Sequence, residues 1–140
     1  MWHKILVGLD GSDGAKKAFS VAVKLASQFG AELHSISVEE KLPHYAATVG
    51  EVLESKQEAA DYFRRITAEA SQSACAAGVT LHSHVMPGHE VETIVTFARE
   101  KGFDLLVIGF MGHSRIFGRI WGSTSQNLTK LSPCTVLVVK

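Results

Sequence analysis

The hydrophobic period of this chain switches back and forth between two types, and that alternation constrains the fold more than any other feature. Ile5-Leu6-Val7 is a short continuous apolar run closed by Gly8, Asp10 and Gly11. Ser12 then offers an N-cap, and Ala15, Ala18, Phe19, Ala22, Ala26 and Phe29 recur at helical spacing until Gly30 stops the pattern. A second strand is expected from about Glu32 to Val38, then a loop from Glu39 to Ala47 that holds Pro43 and shows no period. Thr48-Val49-Gly50-Glu51 reads as a capping box. The stripe of Phe63, Ile66, Ala70 and Ala74 after it extends to about Ala77. A helix of about 30 residues exceeds the usual globular length, so its first part is expected to be irregular or kinked near Gly50.

Gly78 closes that helix, and Val79, Leu81, Ser83 and Val85 alternate with Thr80, His82 and His84. Pro87-Gly88 turns the chain, and Val91, Ile94, Val95 and Ala98 mark a third helix ending at Gly102. A strand from Asp104 to Ile108, a short helix from Ser123 to about Leu131 and a last strand from Thr135 to Val139 complete the series. Strands separated by helices run parallel through right-handed crossovers. The pattern predicts an α/β fold: a single-domain, flavodoxin-like (Rossmann-like) three-layer sandwich over residues 1–140, five parallel strands in the order 3-2-1-4-5. The first and fourth strands are apolar throughout, as buried central strands are. The third alternates and suits an edge. The fifth is apolar yet falls at the other edge, a liability that pairing with a second copy would cover; a homodimer through Thr135 to Val139 is expected.

Between the fourth strand and the last helix stands a glycine array, Gly109-Phe110-Met111-Gly112, then nine residues, then Gly122-Ser123. Strand, glycine-spaced loop and helix start together let backbone N–H groups approach a polyphosphate, with positive partial charge at the helix N-terminus. Two glycines plus Gly118 and Gly122 in one loop exceed what a turn needs. Gly8 and Asp10 sit at the tip of the first strand, where the strand ends of an open parallel sheet meet. Together these features predict a nucleotide site.

Composition narrows the partners. At 140 residues the chain makes one domain with room for a core, and its 14 basic and 14 acidic side chains cancel. Neutrality without basic clusters gives no footprint for nucleic acid or an anionic membrane. No apolar stretch approaches the roughly 20 residues of a spanning helix, and Met1-Trp2-His3-Lys4-Ile5 runs into a strand without a signal-peptide pattern. Cys75 and Cys134 lack CxxC spacing and are expected as free, mostly buried thiols. A cytoplasmic location follows as the expectation.

The glycine array, the opening Ile5-Leu-Val-Gly-Leu-Asp-Gly-Ser12 and the ending Ser132-Pro-Cys-Thr-Val-Leu-Val-Val139 together resemble the universal stress protein family, over essentially the whole chain. The array resembles its ATP-binding subset. The resemblance implies a homodimer holding ATP across the first and fourth strand ends; AMP and ADP stay open as alternatives to ATP, and phosphates so placed could carry Mg²⁺. It implies Asp10 near ribose or adenine and Val38 beside adenine. Gly109, Gly112, His113, Ser114 and Arg115 would lie along ribose and phosphates, and Ser123, Thr124 and Ser125 at the phosphates. Gly8 stands where family members often carry Pro or Ala, and the 110–121 insert is heavy in aromatics, Phe110, Phe117 and Trp121.

Plainer explanations compete at each position. Asp10-Gly-Ser12 is a good turn without any ligand. Ser123-Thr-Ser-Gln126 is a capping box, which is compatible with anion binding at the same helix end. Val38 belongs in the core with or without a base. Arg115 offers a fork matched to phosphate, and a plain surface position explains it and His113 as well. Phe117 and Trp121 suit packing or the dimer, and Met111 suits gap filling or an adenine cover. His82 and His84 share a strand face at a spacing that can chelate, but no third ligand lies near in sequence; a solvated face is expected and no metal is assigned.

The expected function is an ATP-binding regulatory or signalling protein of the stress response with an unidentified protein partner. There is no GxxxxGK[ST] motif, no paired carboxylates for two metals and no evident base. Slow hydrolysis at most is expected, with ATP ordering the loop from Gly109 to Gly122. Two alternatives stay open: a weak ATP hydrolase or phosphotransferase assisted by Asp10 or His113, and a nucleotide-free dimeric stress module. A response-regulator receiver is disfavoured because the third strand ends Val85-Met86-Pro87 without a phosphoacceptor, and a flavodoxin because the phosphate-type loop follows the fourth strand.

Overall fold

The computed structural model describes residues 1–40, 49–110 and 123–140. Five strands are present: β1 (Lys4–Gly8), β2 (Glu32–Glu39), β3 (Leu81–Pro87), β4 (Leu105–Gly109) and β5 (Thr135–Val139). They alternate with α1 (Asp13–Phe29), α2 (Val49–Ala76), α3 (Glu90–Glu100) and α4 (Ser123–Leu131). All pairings are parallel and the order is β3-β2-β1-β4-β5, as the alternating periods predict.

Each sheet face buries its own core because side chains alternate along a strand. On one face Ile5, Val7, Leu33, Leu105 and Val107 pack with Ala18, Phe19, Ala22 and Ala26 of α1 and with Ala70 and Ala74 of α2. On the other, Leu6, Ile36, Leu106 and Ile108 pack with Ile94, Val95, Phe97 and Ala98 of α3 and with Leu128 of α4. Small residues on the inner stripe of α1 let it lie close to the strands, and Ala18 and Ala22 are fully buried. Gly30 ends α1 in the left-handed region (φ 64°), its N–H bonded to the Ala26 carbonyl. Ser35 and Ser37 of β2 are also buried on the α1/α2 face, and neither hydroxyl has a hydrogen-bond partner among the described residues.

Four expectations need correction. The helix after Thr48 is not interrupted near Gly50: α2 runs as one helix of 28 residues from Val49 to Ala76. Gly50 falls in its first turn, where a glycine costs only about 1 kcal/mol relative to alanine and does not break the ladder. Cys75 and Cys134 are free, but Cys75 is exposed and Cys134 half-buried, since Cys75 points away from the stripe that carries Ala70 and Ala74. Phe29 is exposed, because the chain leaves α1 at that residue. On the face of β3 that carries His82 and His84, His82 is exposed as expected, but His84 is not simply solvated. Val85 is 46% exposed, while His84 and Met86 are half-buried against the α3 side of the sheet. Phe97 draws the His84 ring inward, with the ring centroids 4.8 Å apart.

Candidate functional site

The order β3-β2-β1-β4-β5 reverses direction between β1 and β4, so a crevice opens at their carboxyl ends. The tip of β1 leads into α1 through Asp10-Gly11-Ser12. The Asp10 carboxylate accepts hydrogen bonds at Oδ1 from the Ser12 N–H (2.9 Å) and the Ser12 hydroxyl (2.5 Å). Ser12 in turn caps α1, its Oγ accepting from the Ala15 N–H at 3.2 Å. The turn and cap read from Asp-Gly-Ser are therefore both present. They fix one carboxylate oxygen of Asp10 at the strand tip.

A residue from a distant element completes this loop. Tyr62 of α2 donates its phenol hydrogen to the Asp10 carbonyl. Gly11 lies beneath the same hydroxyl at φ 83°, and a Cβ there would collide with it. Burial, and secondarily the negative charge of Asp10, hold the Tyr62 phenol above its ordinary pKa. Nothing in the local sequence pattern pointed to Tyr62, which lies 52 residues from its acceptor.

The tip of β4 joins two helices. A Cβ built on Gly109 would stand 2.8 Å from the Gly14 carbonyl carbon and 3.2 Å from the Ala15 nitrogen, both backbone atoms of the first turn of α1. Glycine at 109 is thus required for close approach of helix to strand. From the other side, the Ser125 hydroxyl donates to the Gly109 carbonyl at 2.7 Å, so the first turn of α4 is pinned to the same residue. Ser125 is buried, Thr124 half-buried and Ser123 exposed as the first residue of α4. Phe110 continues the strand line by donating its N–H to the Val139 carbonyl at 2.9 Å.

Of the residues expected at a nucleotide, Gly8, Asp10, Gly109, Ser123, Thr124 and Ser125 stand at the ends of β1 and β4 and the start of α4. Val38 stands near the end of β2, paired in register with Met86 and half-buried against the α3 side. Among the described residues, a Cβ on Gly8 would meet only Ile108, at 4.0 Å, so none of them demands this glycine. Gly112, His113, Ser114, Arg115 and Gly122 lie outside the described residues, as do Met111, Phe117, Gly118 and Trp121. Chemically, the arrangement offers the N-terminal turns of two helices beside one fixed carboxylate, a combination suited to an anion linked to a hydroxyl-bearing sugar.

A second cluster lies near the opposite, amino-terminal end of β2. His34 Nδ1 is 2.9 Å from His84 Nε2, and His34 Nε2 is 3.3 Å from Glu32 Oε1. The rings of His34 and His82 are stacked at 4.6 Å. Burial lowers the pKa of both His34 and His84; the Glu32 hydrogen bond works against the shift at His34. Pairing of His34 with His82 across the strands brought in the partners that sequence proximity alone did not reveal.

Among the described residues, no helix is long and apolar enough to cross a membrane. The family model described as "Universal stress protein family" matches residues 1–140. The universal stress protein YxiE of Bacillus subtilis is 32% identical over 151 residues, covering all of both chains. The solved structure of UspA from Lactobacillus plantarum superposes with a TM-score of 0.89 at 26% identity, covering 99% of this chain and 98% of that one. A universal stress protein crystallised in complex with cAMP superposes at 0.77 with 30% identity, covering 99% and 97% respectively.

Proposed function

The chain belongs to the universal stress protein family, and from that membership we propose that it binds ATP between the tips of β1 and β4. It acts as a nucleotide-dependent regulatory homodimer in stress response and not as an efficient enzyme. The observation that carries this is the double attachment of Gly109, against the first turn of α1 on one side and bonded to Ser125 of α4 on the other. Two helix N-termini held at one strand tip form a preorganised anion site.

In this assignment Asp10 faces ribose or adenine, Val38 lies beside adenine, and Gly109 borders the ribose. Gly112 and His113 to Arg115 follow the phosphates, which end on Gly122 and Ser123 to Ser125. Mg²⁺ rides on the phosphates. Asp10 is steadied at the strand tip by its two hydrogen bonds from Ser12. Nucleotide contact along 109–122 alters the surface offered to a protein partner, and β5 pairs two copies.

A second reading, a nucleoside monophosphate or cyclic monophosphate in the same crevice, is favoured by one observation: a 30%-identical structure holds cAMP. Mass identification of the molecule that co-purifies, followed by calorimetric titration of ATP with Mg²⁺, of AMP and of cAMP, separates the two. ATP binding that Gly122→Val weakens at least tenfold in a folded protein supports the proposal. Unchanged affinity in that variant removes the site assignment.

A further inference from the structure

We propose that Glu32, His34 and His82 form a binding site for a divalent transition cation of the zinc type, clasping edge strand β3 to β2. This site is independent of the nucleotide and lies toward the other end of the sheet.

Glu32 and His34 are two apart on β2 and so share a face. His82 is directly across from His34 in the parallel register. One carboxylate oxygen and one nitrogen from each imidazole all lie within 4.8 Å of one another. Ligand distances of about 2.0–2.2 Å in a tetrahedral zinc site place donors roughly 3.4 Å apart, so the set must contract by at most about 1.4 Å. The contraction falls on groups free to make it: the Glu32 side chain is 59% exposed, and His82 is exposed. His34, whose side chain is only 12% exposed, provides the fixed member.

What marks His34 as a ligand is its other nitrogen. Metal-bound histidines characteristically bond their second ring nitrogen to a partner that sets tautomer and orientation. His34 Nδ1 has that partner in His84 Nε2 at 2.9 Å, leaving Nε2 turned toward Glu32. His84 is itself held by the Phe97 ring, and Phe103 meets the edge of His34 at 5.0 Å. An aromatic wall thus backs the donors on one side while Glu32 and His82 remain open to solvent.

Two neutral imidazoles and one carboxylate suit a borderline cation such as zinc, cobalt or nickel and disfavour magnesium and calcium, which select oxygen ligands. Three protein donors leave a fourth position for water or an outside ligand. The nearby ammonium of Lys4 opposes the cation's charge, but it is tethered away, donating to the Lys101 carbonyl at 2.6 Å and lying over the Phe103 ring.

The test uses the full chain stripped with chelator and then titrated with zinc chloride by calorimetry, with imidazole nitrogen shifts followed by NMR. One equivalent is expected to bind, moving the His34 and His82 ring resonances and raising the melting temperature, while magnesium chloride does neither. His82→Ala and Glu32→Gln, both at exposed side chains, are each expected to lose at least tenfold in zinc affinity while keeping the wild-type circular dichroism. Cys75→Ser and His89→Ala are expected to bind as the wild type does. Absence of zinc binding, or affinity that either His82→Ala or Glu32→Gln lowers less than tenfold, overturns the proposal.

Discussion

The Ser125 hydroxyl donates to the Gly109 carbonyl across 2.7 Å, tying the first turn of the last helix to the tip of a central strand. Ser125→Ala removes this bond and leaves a carbonyl short of a partner. A loss of about 1 kcal/mol is expected, read as a lower urea midpoint at unchanged slope. Nucleotide affinity should fall with it, because the helix end that faces the anion is no longer held in place.

Gly109 and Gly8 end neighbouring strands yet should respond oppositely to a methyl group. Gly109→Ala drives a Cβ into the Gly14 backbone, which has no flexible side chain to yield. A destabilisation of about 1–3 kcal/mol is expected. Gly8→Ala meets nothing closer than 4.0 Å among the described residues and should stay within about 0.5 kcal/mol of wild type. Denaturant melts of the two variants, run side by side, decide the matter.

Asp10 has a role in the turn and a proposed role with the nucleotide, and Asp10→Asn separates them. The amide oxygen can still accept from Ser12, so the loop and the cap of α1 survive and the melting temperature should hold. Loss of charge and of an acceptor toward the sugar is expected to weaken ATP at least fivefold by calorimetry. Ser12→Ala is the complementary variant, expected to lose about 1 kcal/mol through the helix cap.

Tyr62 gives the fold a dependence on alkaline pH. Its folded pKa lies above the ordinary phenol value of about 10, so the unfolded chain ionises first and unfolding releases a proton above that pH. The associated stability is complete below about pH 10 and is lost as pH rises through the folded value. Tyr62→Phe should lose about 1 kcal/mol at neutral pH with its hydrogen bond to Asp10. Its stability should then decline less steeply between pH 9.5 and about 11, in paired denaturant titrations.

β5 bears on the proposed dimer. It is an edge strand in which Leu137 is 36% exposed. Sedimentation equilibrium should give twice the chain mass for the wild type. Leu137→Lys should give a folded monomer, since an edge lysine opposes strand pairing between copies. A wild type that sediments as a monomer at micromolar concentration removes the dimer.

Periodicity carried most of the architecture. Unbroken apolar runs at Ile5–Val7 and Leu105–Ile108 mark strands buried on both faces, and the intervening helical stripes leave parallel pairing as the way to join them. Ser12 as a cap and Gly30 as a stop were legible because each acts on backbone a few residues away. Contacts set by register were not legible. Glu32 and His34 meet His82 only after β2 and β3 pair, and Tyr62 reaches Asp10 only after α2 packs across the sheet. Gly109 illustrates a mixed case: its glycine stood out as part of a loop motif, while the close approach of Gly14 gives it a packing reason that spacing cannot express.

Ser35 and Ser37 sit in the hydrocarbon between β2 and its covering helices, each with a hydroxyl that meets no acceptor or donor among the described residues. Dehydrating such a group without recompense works against folding, so removing either hydroxyl is expected to raise the melting temperature. Alanine at either position deletes the hydroxyl and keeps the methylene volume, which makes this strand a natural starting point for engineering a heat-resistant variant.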